Sequence, residues 1–273
     1  MRLFADDTIV YRTIHNSDDE TKLQEDLDKL AEWEKNWQME FNPDKCKVLR
    51  IAKSKMQNLN LNTHYNLHGK SLEMAKEVKY LGLTITSDFS WNAHISNINS
   101  KANRTLGLLK RTLKLRSRHL KATAFKTIVR PVIEYASSVW DPYTEDNIKK
   151  LERIQRRAAR YSLCRYDRID SVTEMLKELN WETLAERRQR SRLTMLYKMT
   201  HGLASVEHTE HLKPIQRVTK HLSENAFQVP YSKSNYGKFA FFPRTIREWN
   251  SLPKETQTAT SLGCFKSRLL LNE

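Results

Sequence analysis

Glycine and proline are scarce in this chain, six and seven in 273 residues. So few breakers argue against a many-turned all-β architecture and predict long helices. Cysteine is scarcer still. Cys46, Cys164 and Cys264 stand far apart, with no paired spacing for a zinc site or a disulfide framework, so buried free thiols in a reducing compartment are expected. No uninterrupted apolar stretch reaches the ~18 residues that a membrane-spanning helix needs. Asp6 and Asp7 fall where a signal peptide would carry its apolar segment. The expectation is therefore an intracellular protein of nucleus or cytoplasm, without a membrane partner. Hydrophobic residues make up 39% and charged ones 29%, a globular rather than a disordered composition. The length suits one large or two modest domains.

Negative charge is lacking unevenly. Residues 1–92 hold 13 Lys/Arg and 15 Asp/Glu, whereas residues 93–273 hold 34 and 17, a net of +17. A near-neutral segment followed by a strongly basic one points to a nucleic-acid contact surface on the second. Solvated helix faces are the other reading of such an excess.

What the first segment does contain is a pair of adjacent acids between two short apolar runs, Leu3-Phe4 and Thr8 to Tyr11. That layout predicts a tight β-hairpin with Asp6 and Asp7 at its tip. Adjacent strand residues project to opposite faces, so one acid can reach a metal while the other supports it. A helix follows, with Ser17 and Glu20 in a capping-box pattern, acids in its first turn, and Leu23, Leu27, Leu30 and Trp37 along one stripe. After Phe41-Asn42-Pro43 come a strand from Cys46 to Ile51, short strands at Leu59–Asn62 and Tyr65–His68 with a Gly69-Lys70 turn, and a strand from Val78 to Ile85. That last strand carries Gly82 inside it, a sign of a bulge or a close backbone approach.

From Trp91 the pattern is helical. Ile95, Ile98, Ala102, Leu106, Leu109 and Leu113 form one stripe, and Lys101, Arg104, Lys110, Arg111 and Lys114 fill other faces. A second helix is expected from Arg118 to Val129, ended or kinked by Pro131. A third, capped by Thr144, turns Ile148, Leu151, Ile154 and Ala158 inward and Lys149, Lys150, Arg153, Arg156, Arg157 and Arg160 elsewhere. Ser171 caps a short helix to Lys177, and Trp181 to Met199 forms a longer one. His201, His208 and His211 have no cysteine pair beside them and are not read as a zinc site.

Phe4-Ala5-Asp6-Asp7 resembles motif C of reverse transcriptases, with Phe4 where Tyr is commoner. The stretch Phe41 to Lys47 resembles motif D of LINE-type (non-LTR) reverse transcriptases, and Tyr80-Leu81-Gly82 resembles motif E, the primer grip. Lys126 to Trp140 and Leu151 to Arg160 resemble the thumb of jockey-type elements, and Phe241 to Pro253 resembles a segment near their C-terminus. The resemblance implies an α+β fold. A small palm-remnant β-sheet with one helix would occupy residues 1–90, a helical thumb 91–168, and a helical C-terminal extension 169–273. It implies that Asp6 and Asp7 are catalytic and hold Mg²⁺. It implies that Lys45 is the general acid toward the leaving pyrophosphate, and that Tyr80, Leu81 and Gly82 lie against the primer end. The basic helices would grip an RNA template and DNA primer through phosphates, with deoxynucleoside triphosphates as substrate. No counterpart of the fingers, of the motif A Asp or of motif B is seen. The expectation is a fragment inactive by itself. A basic helical nucleic-acid-binding protein without catalysis is the alternative, and an inert remnant whose helices only pack is a third.

Overall fold

The computed structural model describes residues 1–38, 40–52, 64–112, 116–215 and 223–271. It divides into two compact units, Met1–Ser96 and Asn97–Glu273. The fold is α+β, as the sequence predicts. Its described strands lie in the first unit, apart from one isolated bridge between Pro214 and Phe227.

In the first unit, β1 (Arg2–Phe4) and β2 (Asp7–Ile9) pair antiparallel with Phe4 opposite Asp7. Ala5 and Asp6 form the turn, and Ala5 takes a left-handed φ of 52°. Helix α1 (Ser17–Trp37) follows. Its cap is not the predicted Ser17. Asn16 is the N-cap, its Oδ1 accepting from the Asp19 amide at 3.0 Å, while the Asp19 carboxylate accepts from the His15 amide at 2.9 Å. The cap thus lies one residue earlier than read, and Asp19 reaches back to the amide of the residue before it. Leu23, Leu27, Ala31, Phe41, Cys46 and Val48 pack on buried Tyr65, Leu67 and Leu72. Trp37, placed on the same stripe by spacing, is the last residue of the helix and 67% exposed.

The remaining strands form short ladders. β3 (Lys47–Leu49) is shorter than expected, β4 (Asn66–Leu67) pairs with β5 (Lys70–Ser71), and β6 (Glu73–Ala75) runs parallel to β3. The strand expected at Leu59–Asn62 lies outside the described residues. The single strand expected from Val78 to Ile85 is instead a hairpin of β7 (Glu77–Tyr80) and β8 (Leu83–Thr86). Leu81 and Gly82 are its two turn residues, both at positive φ, 45° and 80°. Two consecutive left-handed residues match the right-handed twist of the flanking strands, so Gly82 reverses the chain rather than bulging it. His68 and Gly69, at 52° and 72°, do the same between β4 and β5.

The second unit's helices begin with α2 (Asn92–Thr112), whose Ala102, Leu106 and Leu109 are buried. Leu113 and Lys114 lie outside the described residues. Pro131 does not end the second helix. α3 (Arg118–Ala124) runs into a π-helical turn at Phe125–Val129 and on into α4 (Arg130–Glu134). Pro131 sits in the first turn of α4, where its missing N–H costs little. After α5 (Ser137–Trp140), α6 (Glu145–Leu163) buries Leu151, Ile154, Ala158 and Ala159; Thr144 flanks it but makes no side-chain cap bond. Ser171 caps α7 (Val172–Glu178) as expected. The long helix α8 (Leu184–Thr200) starts later than Trp181, at a capping box in which Thr183 and Glu186 bond each other's amides.

After α9 (Asn235–Lys238), α10 (Phe241–Asn250) comprises most of the aromatic block near the C-terminus, followed by α11 (Lys254–Gln257) and α12 (Leu262–Leu271). Ile246 and Trp249 of α10 are fully buried against Leu193, Leu196 and Tyr197 of α8 and Phe265 of α12. Trp249 Nε1 donates to the Asn225 carbonyl at 3.0 Å, so the ring's one polar atom is satisfied.

Candidate functional site

The acids read as catalytic are both exposed. Asp6 is the second turn residue and Asp7 heads β2. Leu3 and Phe4, 57% and 64% exposed, leave the hairpin's apolar side chains in solvent. No further strand pairs with β1 or β2 among the described residues. Arg12, just past the hairpin, bonds Asp26 of α1 at 2.7 Å. Asp26 therefore titrates below the usual carboxylate range, chiefly through that bond.

Lys45 is exposed in a turn built by Asn42. The Asn42 side chain accepts from the Asp44 amide at 2.9 Å, and the Asn42 carbonyl accepts from the Lys45 amide at 3.0 Å. Next to it, burial pushes the Cys46 thiol up. Tyr80 and Leu81 are half-buried and Gly82 is exposed, at the tip of the β7–β8 hairpin. Asp6 and Asp7, Lys45, and the Tyr80–Gly82 turn lie on separate two-stranded ladders or their flanks, so no common sheet joins them among the described residues.

In the second unit the basic helices are sorted by face. At about 100° per residue, Lys149, Arg153, Arg156 and Arg160 of α6 fall on one narrow stripe opposite its buried residues. Arg153 and Arg156 are exposed and make no ion pair among the described residues. Lys149 is paired with Glu145 at 2.7 Å, Lys150 bonds Asn147 at 3.3 Å, and half-exposed Arg160 donates to the Asp167 carbonyl at 3.1 Å. Lys101, Arg104 and Arg111 point outward from α2. Arg157 bridges the two helices, donating to Asn103 Oδ1 at 2.8 Å. Lys110 Nζ lies 5.5 Å from the Tyr161 ring centroid, its pKa lowered by burial first and then by the charge of Arg157.

Some of the basic excess faces inward, which the sequence reading missed. Arg188 and Arg192 of α8 are 1% and 2% exposed. Arg188 Nε lies 2.6 Å from Asp141, Arg192 also pairs with Asp141, and Arg244 of α10 reaches it at 3.1 Å. Glu248 takes Arg192 at 2.6 Å. Burial pushes Arg188 and Arg192 down to about 10, so both stay charged at neutral pH. The signal was present: Leu184, Arg188, Arg192 and Leu196 repeat at four-residue spacing, placing both arginines on the apolar stripe. The thiols also differ from expectation. All three are free, but Cys46 and Cys264 are half-buried and Cys164 is exposed at the left-handed C-cap of α6. His201 and His208 bond nearby carbonyls and His211 stacks on Phe242.

With that geometry in view, residues 1–85 match the family model described as reverse transcriptase (RNA-dependent DNA polymerase). The chain is 27% identical over 162 residues, 58% of its length, to the RNA-directed DNA polymerase from mobile element jockey of Drosophila melanogaster. It is 26% identical over 206 residues, 71% of its length, to the probable RNA-directed DNA polymerase from transposon BS of the same organism. It covers 17% and 21% of those two relatives, about a fifth of the length of the polymerases it matches. Both relatives are RNA-directed DNA polymerases of mobile elements, one of them described as probable. No solved structure matches the chain significantly.

This family needs a divalent metal. Asp6 and Asp7 are the right donors, hard carboxylate oxygens on a turn open to solvent. Yet no group of three or more His, Cys, Asp or Glu side chains able to hold an ion occurs among the described residues. Two carboxylates on one turn do not by themselves hold the two ions of a phosphoryl-transfer centre. No described helix is long and apolar enough to cross a membrane.

Proposed function

We propose that this chain supplies the carboxylate hairpin, primer grip and basic thumb of a non-LTR retrotransposon RNA-directed DNA polymerase. The reading divides the chain at residues 1–90, 91–168 and 169–273 into palm, thumb and extension. Its main support is the family match over the segment that carries exposed Asp6 and Asp7, one in a two-residue turn and the other at the start of the next strand. In this reading Asp6 and Asp7 contribute oxygens to Mg²⁺, which would offset the charge developing on the transferred phosphoryl group. Further carboxylates have to join them before an ion pair is held, so the two acids alone are not expected to sustain polymerisation. Lys45 stands ready to give a proton to the departing pyrophosphate. The Tyr80–Gly82 turn offers backbone and a small residue to the primer end. The outward cations Lys101, Arg104, Arg111, Arg153 and Arg156, flanked by Lys110, Lys149, Lys150, Arg157 and Arg160, hold the RNA template and DNA primer by their phosphates.

Binding of the full chain to a primer–template duplex across a salt series tests this reading. Log affinity should fall linearly with log salt, whatever the sequence. Arg153→Glu with Arg156→Glu should weaken all duplexes alike and reduce the slope by ~1 for each lost phosphate contact. Salt-independent binding, or a charge-reversed variant that binds like the parent, would reject the thumb assignment. A sequence-specific loss would favour a dedicated nucleic-acid-binding protein instead.

A further inference from the structure

Between α8 and α10 the chain carries a feature that neither palm nor thumb uses. From Asn225 to Arg247 there is no carboxylate, while Lys233, Lys238, Arg244 and Arg247 are cationic. Two tyrosines in this stretch project into solvent, Tyr231 at 85% and Tyr236 at 53% exposure. An exposed ring alone is ordinary; here two stand exposed within six residues of a stretch that carries cations and no acid.

The loop that presents them is tied down. Ser234 caps α9, its Oγ accepting from the Gly237 amide at 3.2 Å. Ser232 Oγ donates to the Ser234 carbonyl at 3.1 Å and accepts from the Ser234 amide at 3.3 Å. Ser232 also packs on Gly237 so closely that a Cβ there would stand 2.8 Å from the Ser232 Cβ. That contact joins the residues directly after Tyr231 and Tyr236 and ties together the two backbone positions that carry the rings. At the end of α9 Phe239 stacks on Tyr143 at 4.6 Å with the rings parallel, and both Lys238 and Arg247 lie over the Phe239 face. Arg247 is bonded to the Lys238 carbonyl.

We propose that Tyr231 and Tyr236 form a stacking platform for unpaired bases of single-stranded RNA or DNA, with Lys233 and Lys238 as its phosphate contacts. A base offers a flat apolar face to a phenol ring, and its phosphate offers the charge that an acid-free basic loop attracts. Rings interleaved with cations on a fixed backbone combine both. Double-stranded nucleic acid hides its base faces and would gain only the charge. This site is separate from the duplex grip assigned to α2 and α6, and it stands whether or not that assignment holds.

The test uses the full chain carrying Arg153→Glu and Arg156→Glu, which weakens the duplex grip, and a fluorescent oligo-dT or oligo-U probe. Single-strand binding should persist in this background. Tyr231→Ala with Tyr236→Ala should weaken it about tenfold or more. Tyr231→Phe with Tyr236→Phe should restore it, because stacking needs the ring and not the hydroxyl. Gly237→Ala should weaken it too, by opening the Ser232 contact. Oligonucleotide affinity that is unchanged by the double alanine variant would overturn the proposal. So would a loss confined to anionic phospholipid vesicles, which would assign the rings to a membrane surface. Failure of the duplex test with success here would remove the thumb reading and leave the platform.

Discussion

The buried charge network permits the most demanding prediction. Asp141, 5% exposed at its side chain, is shared by Arg188, Arg192 and Arg244. Arg188 Nη1 and Nη2 and Arg192 Nε have no hydrogen-bond acceptor among the described residues. Asp141→Asn keeps the shape and removes the charge. Arg192 and Arg244 are then left with Glu248, and Arg188 with no paired carboxylate, Glu152 being the first that still acts on it. Removing one member of a buried ion cluster costs about 3–5 kcal/mol because the remaining charges stay desolvated and uncompensated. For a unit of this size each kcal/mol moves the midpoint by roughly 2–4 °C, so thermal unfolding followed by circular dichroism should shift down by about 10 °C. The cost should shrink to about 1 kcal/mol when Arg188→Met and Arg192→Met are already present, since the stranded charges are then gone. An Asp141→Asn shift under about 2 °C, or an equal shift in both backgrounds, would refute the reasoning.

Other outcomes follow from single sites. Burial holds the Glu152 carboxyl above its ordinary 4.5. The folded state thus binds the proton more tightly, and Glu152 costs stability as pH rises through that raised value. Glu152→Gln, which keeps the acceptor for the Ala185 amide, should raise the midpoint at pH 7 and lose its advantage below pH 4.5. Gly82→Val should destabilise by about 1–3 kcal/mol because a β-branched residue resists a φ of 80°, whereas Gly82→Asn should cost little; equal midpoints for the two variants would contradict the turn assignment. Asn16→Ala should cost about 1 kcal/mol and speed amide exchange at Asp18 to Glu20.

Periodicity made the helical half legible. The stripes of α2 and α6 and the cap of α7 follow directly from where apolar and capping residues fall, because helix formation and burial there obey the same local pattern. The hairpin was legible for a similar reason, two apolar runs flanking a short break, although its turn falls at Ala5 and Asp6 and leaves Asp7 at the head of β2. The errors lie where a local pattern admits two answers. Tyr80-Leu81-Gly82 reads as a strand because it lies inside the apolar run from Val78 to Ile85, and the left-handed φ of Leu81 and Gly82, 45° and 80°, turns the chain there. Pro131 signals a break, but a preceding π-helical turn absorbs it. Arg188 and Arg192 count as surface charge until Asp141 and Glu248, distant in sequence, are seen to meet them. Tyr231 and Tyr236 carry no periodic signal at all, since exposure in a loop depends on what packs behind it.

Primer extension on an RNA template tests the central claim most directly. The purified chain is assayed alone and with a supplied fragment of a jockey-like polymerase carrying fingers and the further palm carboxylate. Extension is expected only in the mixture, and Asp6→Ala or Asp7→Ala in this chain should abolish it, since each removes a metal oxygen. Extension by the chain alone, or extension in the mixture that survives both substitutions, would contradict the assignment of these two acids.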